Sequence, residues 1–282
     1  EQSTGDEHSE YPGARAIGTN RVTSNENPIP STDPKSQYER LDGACDGVFK
    51  PKDESLSKYC NIQTYGADDA PLTVIVGNSH IEQSIASFKP IAEQTHTNLQ
   101  AYLLGGCLYP TRDVNASDEC SEFNHKVTEE LLERKPQTVV LTATVADAKT
   151  NEERVDPALD ETVKKLTDAG IQVIGLRDNP RYDVYECAQK AGSDMSSCAR
   201  PVNEKLADTN PSREVLDRYE GAVTIDLADL YCPEGTCQPI IGNVYVYMDD
   251  NHVTKSYART MAHAIYERAS RSGWLVTGRL KF

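Results

Sequence analysis

The sequence predicts an α/β fold: a central five-stranded parallel sheet between two helical layers, with strand order 2-1-3-4-5. Three observations carry this expectation. Strand-length apolar runs rich in Val, Ile and Leu recur at 72–76, 99–104, 138–143, 171–176 and 222–227. Segments with helical apolar period lie between most of them. Capping and breaking residues mark where those segments start and stop. Strand alternating with helix means parallel strands joined by right-handed crossovers, and a ligand crevice beyond their carboxyl ends.

The elements follow in order. Residues 1–40 are polar, rich in Glu, Ser, Asn, Thr and Pro, and have no apolar period. Such a stretch cannot offset its own ordering entropy, so it is expected to be a linker or an extended arm lying on the domain. Residues 41–70 are expected to form a small disulfide-stapled extension, and 71–282 the α/β domain itself. The run 72–76 leads into a helix over 81–94 with Ile81, Ile85, Phe88 and Ala92 on one face. A helix over 122–135, with Ser121 as N-cap, carries Phe123, Val127 and Leu131 on one stripe. A helix over 157–169 has Asp156 as N-cap, Pro157 at its first position and Gly170 just past its end. Asn210-Pro211 opens another that closes near Gly221, and 180–210 is an insertion after the fourth strand. Thr254 or Ser256 caps a last helix carrying Tyr257, Met261, Ala264 and Ile265.

Charge and cysteines restrict the function classes. The formal net charge is −15 with no basic run, which argues against a nucleic-acid partner. No stretch approaches the roughly 18 apolar residues of a membrane span, and no signal peptide opens the chain. Beginning at Glu1, the sequence is expected to be a processed or excised portion of a longer chain. The 8 cysteines fall as four neighbouring couples. Even count and short separations favour Cys45–Cys60, Cys107–Cys120, Cys187–Cys198 and Cys232–Cys237 among about 105 formal connectivities. Each bridge would contribute about 2–3 kcal/mol and persist only in an oxidising, extracytoplasmic compartment. The couples lack CxxC spacing, so no metal is expected.

Two short words carry the chemistry. Gly77-Asn78-Ser79-His80 stands where the first strand gives way to a helix. A serine there lies at the sheet's carboxyl rim, with its own N–H facing whatever the hydroxyl attacks. Asp249-Asp250-Asn251-His252 supplies, near the other end of the chain, a histidine with a carboxylate three residues before it. Those are the base and the orienter that a serine nucleophile needs. Together they predict a serine-dependent acyl-transfer site.

The arrangement resembles the SGNH hydrolase superfamily, whose first block is Gly-Asp-Ser and whose last is Asp-x-x-His. Longer pieces resemble the extracytoplasmic SGNH domains fused to membrane acyltransferase family 3 proteins of bacteria, actinobacterial members in particular. They are Gly77-Asn78-Ser79-His80, Gly106-Cys107, Arg177-Asp178-Asn179-Pro180-Arg181, Leu230-Tyr231-Cys232-Pro233-Glu234-Gly235-Thr236-Cys237 and Tyr247-Met248-Asp249-Asp250-Asn251-His252. The resemblance implies an SGNH/flavodoxin-like three-layer fold, with Ser79 as nucleophile, His252 as base and Asp249 as its partner. It implies an oxyanion hole from the Ser79 N–H and the Gly106 N–H, Gly105 being the alternative. Two departures stand out. Asn78 replaces the usual aspartate, and the block-three asparagine has no equivalent in Leu141-Thr142-Ala143-Thr144, which leaves Thr142 or Thr144 as substitutes. His80, Asn78, Arg177 and Arg181 are weaker substrate-binding candidates; as the bland alternative, the two arginines are solvated loop residues.

What the resemblance implies is an O-acyltransferase, above all an O-acetyltransferase, tethered outside the cytoplasmic membrane. It binds no cofactor of its own. Acyl groups derive ultimately from acetyl-CoA or a similar donor, through a membrane acyltransferase domain in the full-length chain. The acceptor is a hydroxyl of a cell-envelope glycan or glycolipid. Two other readings are a secreted carbohydrate esterase with the same triad and a non-catalytic glycan-binding module.

Overall fold

The computed structural model describes residues 10–20, 23–31, 37–192 and 194–274. One sheet is built from β1 (Gly43–Ala44), β2 (Cys60–Gln63), β3 (Leu72–Gly77), β4 (Asn98–Leu103), β5 (Thr138–Thr142), β6 (Gln172–Leu176) and β7 (Ala222–Ile225). Their spatial order is β1-β2-β4-β3-β5-β6-β7. The five strands from β4 to β7 are parallel and follow the expected 2-1-3-4-5 order. The sheet has seven strands, however, not five. β2 pairs antiparallel with β4, Cys60 opposite Tyr102, and β1 pairs antiparallel with β2. Both added strands are too short to show a period in the sequence, and they cover an edge whose backbone groups would otherwise lie open.

The helices are α1 (Ser79–Glu82), α2 (Ile85–Thr95), α3 (Asp118–Arg134), α4 (Leu159–Asp168), α5 (Val184–Ala191), α6 (Arg213–Leu216), α7 (Ala228–Tyr231), α8 (Lys255–Thr260) and α9 (Ala262–Arg271). β3 is buried along its whole length, as a strand covered on both faces must be. Ile75, Val140 and Ile174 point to one face, where Phe88, Ile91, Tyr257 and Ile265 of α2, α8 and α9 cover them. Val74, Val76, Leu141 and Val173 point to the other, against Phe123, Val127, Val163 and Leu166 of α3 and α4. Each such aliphatic side chain contributes about 1.5–3 kcal/mol by leaving water.

Several boundaries differ from expectation: the helix opened by Asn210-Pro211 is regular only over α6, Arg213–Leu216, and the last helix divides at Met261 into α8 and α9. The helix over 81–94 is two helices, because Ser84 Oγ donates to Ile81 O at 2.6 Å and competes with the ladder at that turn. The N-cap of α3 is Ser117 rather than Ser121; its side chain accepts the Cys120 N–H at 3.1 Å. Asp156 accepts the Ala158 N–H, but the regular helix α4 starts only at Leu159. Thr254, of the two candidates, caps α8 by accepting the Tyr257 N–H.

Four disulfides join Cys45–Cys60, Cys107–Cys120, Cys187–Cys198 and Cys232–Cys237. The described amino-terminal residues lie against the rest of the fold. Gly13 N donates to Gly242 O at 3.0 Å, and Ile29 bridges to Val244. Gly242 has φ +54, and a Cβ there would meet Gly13 backbone at 2.4 Å, so the arm seats only on a glycine. Among the described residues no helix is long and apolar enough to cross a membrane. The chain leaves β3 toward β4 on one side and β5 on the other, so a crevice opens at the carboxyl ends of β3 and β5. The site lies at that rim.

Candidate active site

Gly77 closes β3 with φ +147, a conformation that L side chains rarely adopt, and a Cβ there would press on Ile81 at 3.0 Å. The chain turns sharply and Asn78 caps α1, its side-chain oxygen accepting the His80 N–H at 3.0 Å. That is the task the structure gives Asn78. Ser79 is the first residue of α1. Its Oγ lies 2.8 Å from His252 Nε2.

His252 sits on a loop closed by a bridge between Tyr247 and Val253. Asp249 organises that loop. Its Oδ1 accepts the N–H groups of Asn251 and His252 at 2.9 and 2.7 Å, and its Oδ2 faces His252 Nδ1 at 2.8 Å. Partial burial pushes the Asp249 carboxyl up, but the bonds from the His252 ring and the two backbone N–H groups outweigh it and hold the group below its usual range. The structure therefore brings hydroxyl, imidazole and carboxylate into one line. With Nδ1 protonated toward Asp249, Nε2 is free to take the serine proton.

The N–H groups that could stabilise an oxyanion are available. Among the described residues, neither the Ser79 N–H nor the Gly106 N–H meets an acceptor. Gly106 has φ +73, and Cys107 after it is bridged to Cys120 in α3, which pins the glycine loop to a helix. Gly105 precedes it on the same turn. The threonines at the carboxyl end of β5 lie inside. Thr144 is buried and its Oγ1 accepts the Asp178 N–H at 2.9 Å, while Thr142 Oγ1 is buried without a partner among the described residues.

A second histidine–aspartate pair lies directly behind the first. His80 Nδ1 is 2.7 Å from Asp178 Oδ1, and His80 Nε2 is 2.8 Å from Asn251 Oδ1. Asn251 donates through Nδ2 to Asp250, which turns its oxygen toward His80. Both ring nitrogens thus face acceptors, the arrangement of an imidazolium. Burial works to lower the His80 pKa, yet the Asp178 charge and hydrogen bond, with help from Asn251, raise it above its ordinary value. Asp178 is buried too, which raises its pKa, but His80, Arg181 and the Ala146 N–H bring it down. The rings of His80 and His252 stand 4.9 Å apart.

Around this pair runs a buried amide chain: Gln83 Oε1 accepts the Val253 N–H, Gln83 Nε2 donates to Asn179, and Asn179 Nδ2 donates to Asn251 O. The loop that carries His252 is held from below through these bonds. Asp178, Asn179, Gln83 and Asn251 were not among the sequence-derived candidates, although the word Arg177-Asp178-Asn179-Pro180-Arg181 contains two of them. Arg177 is not a solvated loop residue. It is buried, bound through two nitrogens to Glu153 at 2.8 and 2.6 Å and to Asp226 at 2.9 Å. Arg181 is partly exposed and reaches Asp178 Oδ2 at 3.5 Å.

The family model of the SGNH domain fused to AT3 domains matches residues 44–267. No curated protein matches the sequence. Among solved structures, the periplasmic domain of a lipopolysaccharide acetyltransferase from Salmonella ser. Paratyphi A is similar at TM-score 0.52 and 14% identity, over 73% of this chain and 85% of that one. The carboxyl-terminal catalytic domain of a Streptococcus pneumoniae peptidoglycan O-acetyltransferase matches at TM-score 0.36 and 11% identity, over 74% and 99%. An esterase domain from a Rhodothermus marinus protein matches at TM-score 0.29 and 9% identity, over 75% and 98%. With most of its length matched and the family's α/β sheet in place, the chain belongs to the family of SGNH domains fused to AT3 domains.

Proposed function

We propose that this domain is an extracytoplasmic O-acyltransferase, and specifically an O-acetyltransferase, that carries the acyl group as an ester on Ser79. The observation that carries the reading is the unbroken line from Ser79 Oγ to His252 Nε2 and from His252 Nδ1 to Asp249 Oδ2, 2.8 Å at each step. Ser79 Oγ attacks the acyl carbonyl carbon while His252 Nε2 takes its proton, and Asp249 stabilises the resulting imidazolium. Charge that builds on the carbonyl oxygen is met by the Ser79 and Gly106 N–H groups; loss of one such donor costs about 10²–10³-fold in rate. Collapse expels the donor's leaving group, which takes the proton from His252. An acceptor hydroxyl then gives its proton to His252, attacks the Ser79 ester and leaves with the acyl group, and Ser79 regains its proton.

The acyl group reaches this site, on our reading, from a donor such as acetyl-CoA through the AT3 domain to which such domains are fused. The acceptor is a hydroxyl of a cell-envelope glycan or glycolipid. Support for that class comes from the family and from the fold shared with a lipopolysaccharide acetyltransferase domain. Four disulfides fit an oxidising compartment. One observation favours a second reading. Asp249 has 45% of its side chain exposed and the His252 ring 17%, so water can reach the site and could replace the acceptor, making the domain an esterase. Turnover of an acetyl ester with and without envelope glycans separates the two. Transferase action predicts acetylated glycan and faster ester consumption with acceptor, whereas consumption indifferent to acceptor means an esterase.

A further inference from the structure

The turn that carries Gly106 is held by one stripe of α3, and a buried asparagine stands at the centre of that stripe. β4 ends with Leu103 beside Gly77, and the Leu104 N–H donates to Gly77 O at 3.0 Å. The turn therefore begins next to the strand end that leads into Ser79. The Cys107 N–H donates back to Leu104 O at 3.1 Å, which closes four residues with Gly106 third and at φ +73. Positive φ at the third residue fits a type II turn, which needs glycine there. Cys120, Asn124 and Thr128 lie four residues apart on α3, hence on one face. Cys120 is bridged to Cys107. Asn124 Nδ2 donates to Leu108 O at 3.0 Å and to Thr111 O at 2.9 Å. Thr128 Oγ1 lies 2.8 Å from the hydroxyl of Tyr109, whose ring is buried.

Asn124 is 4% exposed and sits inside a 17-residue helix, where asparagine is a poor former. Both carbonyls that its amide meets belong to the segment just after the glycine turn. Gly106 itself is exposed, and no group lies within 4 Å of where its Cβ would be. The direction of its N–H therefore depends on how its neighbours are anchored. A donor serves an oxyanion well only when that direction is set before the charge develops. We propose that Asn124 is a positioning residue for the oxyanion hole: with the Cys107–Cys120 bridge it fixes the loop after Gly106 and so aims the Gly106 N–H at the carbonyl-derived oxygen. It acts through the turn, without itself meeting the reacting atoms. This inference rests on the acyl-transfer reading above, with Gly106 as an oxyanion donor.

The test is the pre-steady-state acylation burst with 4-nitrophenyl acetate, run on the wild-type domain, Asn124→Leu and Val127→Ala, with melting temperature measured on each. Leucine nearly keeps the volume of the asparagine and removes both of its bonds to the loop. Val127→Ala loosens the core side of the same helix and leaves the turn's anchors in place. The proposal predicts that Asn124→Leu, assayed well below its melting temperature, acylates about a hundred-fold more slowly, in kcat rather than KM and with the pH profile of the wild type. Val127→Ala should acylate like wild type. Where Asn124→Leu does not fold, Cys107→Ser combined with Cys120→Ser frees the same turn and carries the same prediction. Wild-type kcat in the variant that frees the turn, or a fall in kcat that Val127→Ala reproduces, overturns the proposal and leaves Asn124 as packing only. A wild type with neither burst nor Ser79 adduct overturns the acyl-transfer reading and the Asn124 role with it.

Discussion

Two histidine–aspartate pairs stand back to back in this protein, and they differ in exposure far more than in geometry. The His252–Asp249 contact is 2.8 Å, with 17% and 45% of the side chains exposed; the His80–Asp178 contact is 2.7 Å, with 4% and 2%. An open pair can gain and lose protons as a substrate comes and goes. A sealed pair with acceptors on both ring nitrogens holds its charged form over a wider pH range and acts as structure. The same two residue types therefore serve catalysis at the rim and scaffolding one layer in. Asn251 joins them, since its side chain meets His80 and its backbone belongs to the loop that carries His252.

The contrast is broken most severely at the open pair. His252→Ala and Ser79→Ala should each lower acylation about 10⁴–10⁶-fold, and Asp249→Asn about 10³–10⁴-fold by releasing the wrong tautomer, all read by burst kinetics. Their melting temperatures should change little, because a half-exposed pair contributes only about 0–1 kcal/mol. The sealed pair should behave in the opposite sense. His80→Ala leaves the buried Asp178 carboxylate with Arg181, 3.5 Å away, as its charge partner and should cost about 3–5 kcal/mol in urea unfolding, with any loss of activity following from a loosened 249–252 loop. If His80→Ala instead unfolds like wild type while activity collapses, the two roles have been assigned the wrong way round.

Arg177 is a further buried charge held by partners distant in sequence. Lysine cannot reproduce its two-nitrogen contact with Glu153, so Arg177→Lys should lower stability by about 1–3 kcal/mol and leave KM for acceptor unchanged. A raised acceptor KM at unchanged stability would return Arg177 to substrate binding. The smallest effect is in pH dependence. The His80 pKa is raised on folding, so its stabilisation is complete below the ordinary value near 6.5 and is lost as pH rises through the higher folded value. Asp178 is lowered, so its stabilisation is present above its ordinary value near 3.9 and is lost as pH falls through the lower folded one. Melting temperature should be flat between those limits and fall on both sides, and His80→Gln should remove the alkaline fall. An unaltered alkaline limb in that variant would mean that another group causes it.

Much of the architecture was legible because its causes are local. The five parallel strands announce themselves as apolar runs, and Gly77-Asn78-Ser79 and Asp249-x-x-His252 are fixed by the turns they occupy. What escaped depends on partners distant in sequence. β2 is strand only because β4 offers it an edge, and its four residues carry no readable period. Arg177 is buried only because Glu153 and Asp226 converge on it, so its charge suggested a surface role that its position denies it. The partnership of His80 with Asp178 spans 98 residues, and the word containing Asp178 drew notice to its arginines instead. Tyr38 carries no motif at all. Its place against the His252 ring comes from Gln37 and Glu39, whose partners lie on α8 and α2.

The most direct test of the acyl-transfer account is intact-mass and peptide analysis of the domain quenched during turnover of an activated acetyl ester. The account predicts one acetyl group, on the peptide that contains Ser79, absent from Ser79→Ala and slow to form in His252→Ala. An acetyl group on any other residue, or an equal adduct in Ser79→Ala, would contradict it.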